Sequence, residues 1–90
     1  MKFKLKLTPQ AIKDIDKLAK NGDKRLLIKL DALFTELEEH PESGTGKPEK
    51  LKYIPGYWSR RINKRHRLVY TIDGKDVVVT VISSFGHYDD

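Results

Sequence analysis

Residues 46–70 read GKPEKLKYIPGYWSRRINKRHRLVY. Apolar and polar residues alternate here, first in residues 51–54 and then in residues 57–62. A tight break at Asn63-Lys64 precedes a third run that starts at His66. A period of two marks strands with one buried face. The third run, HRLVYTID at 66–73, meets a turn at Asp73-Gly74. The next, DVVVTVISSF, occupies 76–85. Strands joined by turns this short pair antiparallel. The C-terminal half therefore reads as a meander.

The N-terminal half keeps a different period. Residues 2–7, KFKLKL, set Phe3, Leu5 and Leu7 against three lysines, which makes a half-buried strand. Thr8 and Pro9 form a helix start, as N-cap and first helical residue. Ala11, Ile12, Ile15, Leu18 and Ala19 make one helical stripe, and Asn21-Gly22 ends it. Asp23 can cap a second helix. In it Leu26, Leu27, Leu30, Leu33, Phe34 and Leu37 follow the 3.6-residue period up to Pro41. The short connection makes the two an antiparallel helical hairpin, and residues 42–48 form a loop. The expectation is one α+β domain over residues 1–90. It has an N-terminal strand, a helical hairpin, and a largely antiparallel sheet of four or five strands with the hairpin on one face.

Several function classes drop out early. There is no cysteine, so disulfides and thiolate metal sites are excluded. His40, His66 and His87 lie far apart with no HxH or HxxxH spacing, so no metal is expected. GTGKPEK at 44–50 lacks the full phosphate-loop pattern, and no nucleotide cofactor is expected. No apolar run approaches the ~20 residues of a membrane span, and the N-terminus has no signal-peptide core. A cytoplasmic protein with no membrane partner is expected.

Charge is the strongest functional signal. From Lys47 to Arg67 there are eight Lys or Arg and one acid, Glu49, a local +7 in a chain of formal net charge +5. A cluster this dense suits a phosphate-bearing or acidic partner. Strand parity puts Trp58 and Ile62 on one face and Tyr57, Ser59 and Arg61 on the other. It likewise separates Leu68, Tyr70 and Ile72 from Arg67, Val69 and Thr71. With the apolar sets turned to the helices, Arg61 and Arg67 share the open face. Lys50 and Lys52 are expected there too.

Metal-free RNA cleavage needs a base for the 2′-hydroxyl, a cation for the phosphate and an acid for the leaving oxygen. Glu49, Arg61 and Arg67 with Lys52, and His87-Tyr88 are of the required types. Each also has a plainer reading: a solvated loop acid, surface arginines, and residues of a chain end. Trp58 and His66 read as structural.

The motifs KPExLK at 47–52, GYWSRRI at 56–62, HRLVY at 66–70 and the late His87-Tyr88 pair resemble the YoeB/Txe-type toxins of the RelE/ParE superfamily. The likeness is dense over residues 46–88 and only architectural before that. It implies a microbial-RNase-like fold and a ribosome-dependent endonuclease that cuts A-site mRNA without a cofactor. Carried over by position, Glu49 is the general base and Arg67 the main phosphate-stabilising cation. His87 is the general acid, and Tyr88 orients the substrate or shares proton transfer. Lys47, Lys50, Lys52, Arg60, Arg61 and Arg65 are the expected RNA-binding set. The implied partners are mRNA, the ribosome, and an antitoxin with an acidic, partly disordered neutralising segment; a second copy of the chain is a further one. Ser84, Phe85 and Gly86 stand where relatives often carry an arginine, and Asp89-Asp90 follow the His-Tyr pair. A non-catalytic ParE-like gyrase inhibitor and a plain RNA-binding module are the alternatives.

Overall fold

The computed structural model describes residues 2–22, 24–44, 48–52 and 54–84. The elements are β1 (Lys4–Leu7), α1 (Pro9–Lys20), α2 (Lys24–Glu39), β2 (Glu49–Lys50), β3 (Tyr57–Arg61), β4 (His66–Asp73) and β5 (Asp76–Ser84). They build one five-stranded sheet in the order β1-β5-β4-β3-β2. β2, β3, β4 and β5 pair antiparallel in succession, as the alternating pattern implies, and β1 lies parallel to β5.

Thr8 begins α1 as the composition suggests. Its hydroxyl accepts from the Ala11 N–H at 3.1 Å, and Pro9 takes the first helical turn, where a missing N–H costs nothing. The helix ends at Asn21, followed by Gly22 at φ +75°. The Asp23 cap lies outside the described residues. Leu26, Leu30, Leu33 and Leu37 give α2 a buried edge at spacings of three and four. They join Ala11 and Leu18 of α1 over the sheet residues Ile62, Leu68, Tyr70, Val77, Val79 and Ile82. Each such aliphatic side chain contributes about 1.5–3 kcal/mol on burial. Ile12 departs from the expected stripe and is 55% exposed. Ala11, Ile15 and Leu18 already cover the strip that touches the sheet.

The short strand expected at 51–54 is displaced to Glu49–Lys50. Its ladder extends one residue further through Leu51 N–H to the Tyr57 carbonyl at 2.9 Å. The chain then turns, with Tyr57 N–H on the Ile54 carbonyl and Gly56 at φ +84°, so its groups close a turn rather than a ladder.

β5 needs a separate device. β1 covers its outer edge only from Asp76 to Val79, where α1 begins. Beyond that, the edge would present bare backbone groups. The Thr8 hydroxyl donates to the Thr80 carbonyl at 2.6 Å, and the Asp14 carboxylate accepts from the Ile82 N–H at 3.0 Å. On the inner side the register against β4 slips at Val69/Tyr70, and the Thr80 hydroxyl donates to the Val69 carbonyl at 3.0 Å. The start of α1 thus closes a bulged strand edge.

Removing either cap should show in thermal unfolding. Thr8→Val loses the N-cap and the Thr80 contact, at a cost of about 1–2 kcal/mol. Asp14→Ala orphans the Ile82 N–H, at a cost of about 1–3 kcal/mol. Each kcal/mol lowers the midpoint by roughly 4–8 °C in a domain of this size. An unchanged midpoint in Asp14→Ala would refute the edge-capping role.

Candidate functional site

The face of the sheet away from the helices is built by three cross-strand rows. Glu49 stands opposite Ser59, Ser59 opposite Val69, and Val69 opposite Val81. Arg61 stands opposite Arg67, and Arg67 opposite Ser83. Tyr57 stands opposite Thr71, and Thr71 opposite Val78. Directly opposed residues share a face, so parity correctly placed Arg61 and Arg67 together. The floor of this face is not wholly polar. Val69, Leu51 and Ser59 are all buried, yet none belongs to the helix-side core.

Strand spacing gives the scale. Glu49 and Arg61 sit on adjacent strands two residues apart, with Cα atoms about 8 Å apart. Arg67 is one strand further, with its Cα about 12 Å from that of Glu49. Glu49 and Arg61 are exposed, and Arg67 is half-buried. The register thus sets one carboxylate and two guanidiniums on one face, within two rows of each other. Like charges set directly opposite in a sheet are destabilising unless other groups compensate them.

The turn that sets this pair is locally determined. The Asn63 carboxamide oxygen accepts from the backbone N–H of Arg65 at 2.8 Å and of His66 at 2.7 Å. This is an Asx-type turn that fixes how β3 returns as β4. His66 is structural here, with its ring nitrogen 3.2 Å from the same oxygen.

Two expected RNA contacts are corrected. Lys50 pairs with Trp58, not Ser59, which puts it on the helix side of the sheet. Its ammonium lies 5.5 Å from the Trp58 ring centroid, a cation–π contact. Arg60 is fully buried. It shares a face with Trp58 and Ile62, and its guanidinium bonds Glu36 and two backbone carbonyls. Neighbours on a strand point to opposite faces, so the Arg60-Arg61 pair cannot serve one surface. Lys52 and Arg65 are exposed, Lys52 just past β2 and Arg65 in the β3–β4 turn. Lys47, His87 and Tyr88 lie outside the described residues. Among the described residues no group of three His, Asp or Glu side chains could hold a metal ion, and no helix is long and apolar enough to cross a membrane.

Sequence reasoning missed Ser59 as the neighbour of Glu49, because only the register of β2 on β3 reveals it. It also missed Tyr70, whose hydroxyl donates to the Pro41 carbonyl at 2.5 Å. Burial raises the Tyr70 pKa above the ordinary 10.0, and the nearby Arg60 charge offsets part of this.

The chain matches the family described as "YoeB-like toxin of bacterial type II toxin-antitoxin system" over residues 7–88. It belongs to that family. Toxin YoeB of Synechocystis sp. is 48% identical over 68 residues, which is 74% of this chain and 77% of that protein. A YoeB dimer from Staphylococcus aureus superposes with TM-score 0.82 at 35% identity, covering 100% of both chains. YoeB in a heterotetrameric YoeB–YefM complex from the same organism gives TM-score 0.78 at 35% identity, again covering 100% of both. The strand, helix pair and mostly antiparallel five-stranded sheet are the architecture of these relatives. The protein is thus a toxin of the type II toxin–antitoxin class.

Two measurements test this geometry. With single-stranded RNA as the probe, Arg61→Ala and Arg67→Ala should each flatten the slope of log affinity against log salt by roughly 0.7. Lys50→Ala and Arg65→Ala should change it less, and a larger effect at Lys50 would place the binding face wrongly. For Tyr70, the raised pKa means that stability is full below the unfolded value of about 10 and is lost as pH rises through the folded value. In urea titrations the advantage of the wild type over Tyr70→Phe should therefore shrink above that pH.

Proposed function

We propose that this toxin is a ribosome-dependent mRNA endonuclease acting by metal-independent acid–base chemistry. The supporting observation is the register that sets Glu49 beside Ser59 on the open face, one row from the Arg61–Arg67 pair. This register supports a base and a pair of cations acting on one phosphodiester.

In this reading Glu49 accepts the 2′-hydroxyl proton as the 2′-oxygen attacks phosphorus. Arg67 and Arg61 hold the charge that builds on the non-bridging oxygens. His87 protonates the departing 5′-oxygen, and Tyr88 orients the substrate. The products are a 2′,3′-cyclic phosphate and a free 5′-hydroxyl. β5 delivers the chain at Ser84 opposite His66, one residue from the Arg67–Ser83 pair. His87, three residues further along the chain, lies outside the described residues, and its role as acid is carried over from the family motif. Glu49 is exposed, so water competes for its carboxylate until substrate excludes it. Much of the rate then rests on holding the RNA in line, which the ribosomal A site supplies.

Lys52 and Arg65, with Lys47, are rim contacts to the RNA backbone, which position the strand without reading its bases. An open basic face of this kind in a cytoplasmic nuclease needs an inhibitor. The reading includes an antitoxin whose acidic, partly disordered segment folds onto the basic face, and the YoeB–YefM complex supports it. The S. aureus YoeB dimer supports a homodimer as well.

The test is purified toxin incubated with mRNA, with and without ribosomes, followed by mapping of new 5′ ends. Cleavage should require ribosomes, and Glu49→Gln and Arg67→Ala should each lower kcat by about 100-fold or more. Intact message under all conditions, together with inhibition of DNA gyrase, would move the chain to the non-catalytic branch of the superfamily.

A further inference from the structure

β2 is two residues long. A slip of one residue in its pairing would exchange Glu49 and Lys50 between the two faces of the sheet. So short a ladder has few bonds of its own against that slip beyond the Leu51 N–H and its buried side chain, and the path of the chain that enters it adds to what holds the register.

The first part of the connection from α2 to β2, residues 40–43, is tied to the sheet by side chains of β3 and β4. The Arg60 Nη2 donates to the His40 carbonyl at 2.7 Å and to the Ser43 carbonyl at 2.8 Å. Its Nη1 donates to Glu36 Oε1 at 3.3 Å, near the end of α2. The Tyr70 hydroxyl takes the Pro41 carbonyl between them. Gly44 closes the set at φ +109°, and a Cβ there would lie 2.1 Å from Glu36 Oε1. The backbone is thus held at three carbonyls as far as Ser43, six residues before Glu49. On β3, Arg60 follows Ser59, the direct partner of Glu49. A fully buried guanidinium is costly unless it is paired. Nη1 and Nη2 of Arg60 are paired, while its buried Nε has no partner among the described residues, so giving up either carbonyl would leave the charge still less compensated.

We propose that Arg60, with Glu36 as its counter-ion, is a positioning residue that sets the register of β2 and so keeps Glu49 on the open face. The role rests on the reading of Glu49 as the general base. Arg60 touches no substrate in this scheme. It acts through the 40–44 connection.

Arg60→Lys keeps the charge and loses the planar fork. Glu36→Gln keeps both carbonyl contacts and weakens the ion pair, and it serves if Arg60→Lys does not fold. Two readouts are taken on each. The first is amide hydrogen exchange, comparing Leu51, whose N–H bonds the Tyr57 carbonyl, with the β4–β5 ladder. The expected result is a loss of about tenfold or more in protection at Leu51, with the β4–β5 amides unchanged. Protection that stays intact at Leu51, or falls equally in both places, overturns the proposal. The second is ribosome-dependent cleavage, where kcat should fall about tenfold or more while KM stays within about threefold. An unchanged kcat alongside deprotected Leu51 overturns the link to Glu49. If the wild type does not cleave, the nuclease reading fails, and the exchange experiment still decides whether Arg60 sets the register.

Discussion

Two adjacent arginines on one strand must face opposite sides of a sheet, and the arrangement of this molecule depends on that constraint. Arg60 turns inward between Trp58 and Ile62, and Arg61 turns outward beside Ser59. The inward arginine costs desolvation, which Glu36 and two carbonyls offset. The outward one is placed opposite Arg67, where like charges repel. One residue therefore organises the interior around a chain connection, and its neighbour joins Arg67 on the open face. Either would be a poor choice on the other face.

The edges of the sheet are managed as tightly as its faces. β1 is too short to cover β5, and the first turns of α1 complete the job with the Thr8 hydroxyl and the Asp14 carboxylate. The slip in register near Val69 falls in the same place. A bulge increases local twist and bends a strand. Here it lies between the helix-side core and the end of β5 that approaches the Arg61–Arg67 row.

The open face is charged at its rim and partly apolar at its floor, where Val69 and Leu51 are buried apart from the main core. An apolar floor lowers the local dielectric, and charges above it act more strongly on an anion than they would in water.

Much of this was legible in the amino-acid order. Alternation placed β3, β4 and β5, and the Thr8-Pro9 start and leucine spacing placed both helices, because these are local consequences of side-chain periodicity and capping. Arg61 and Arg67 could be assigned to one face by parity alone. The motifs from Gly46 to Tyr70 indicated the family. What parity could not supply was register. The partner of Glu49, the turn of Lys50 toward Trp58 and the shift of β2 from 51–54 to Glu49–Lys50 all depend on which residues meet across strands. So does the parallel place of β1 beside β5, which joins opposite ends of the chain. The sequence reading set Arg60 among the RNA contacts, although strand parity puts it on the side of Trp58 and Ile62. Only the tertiary fold, by bringing Glu36 and the 40–43 carbonyls to it across 17 to 24 residues of chain, made a buried arginine stable there. Local order sets which way a side chain points, and long-range packing decides what it meets.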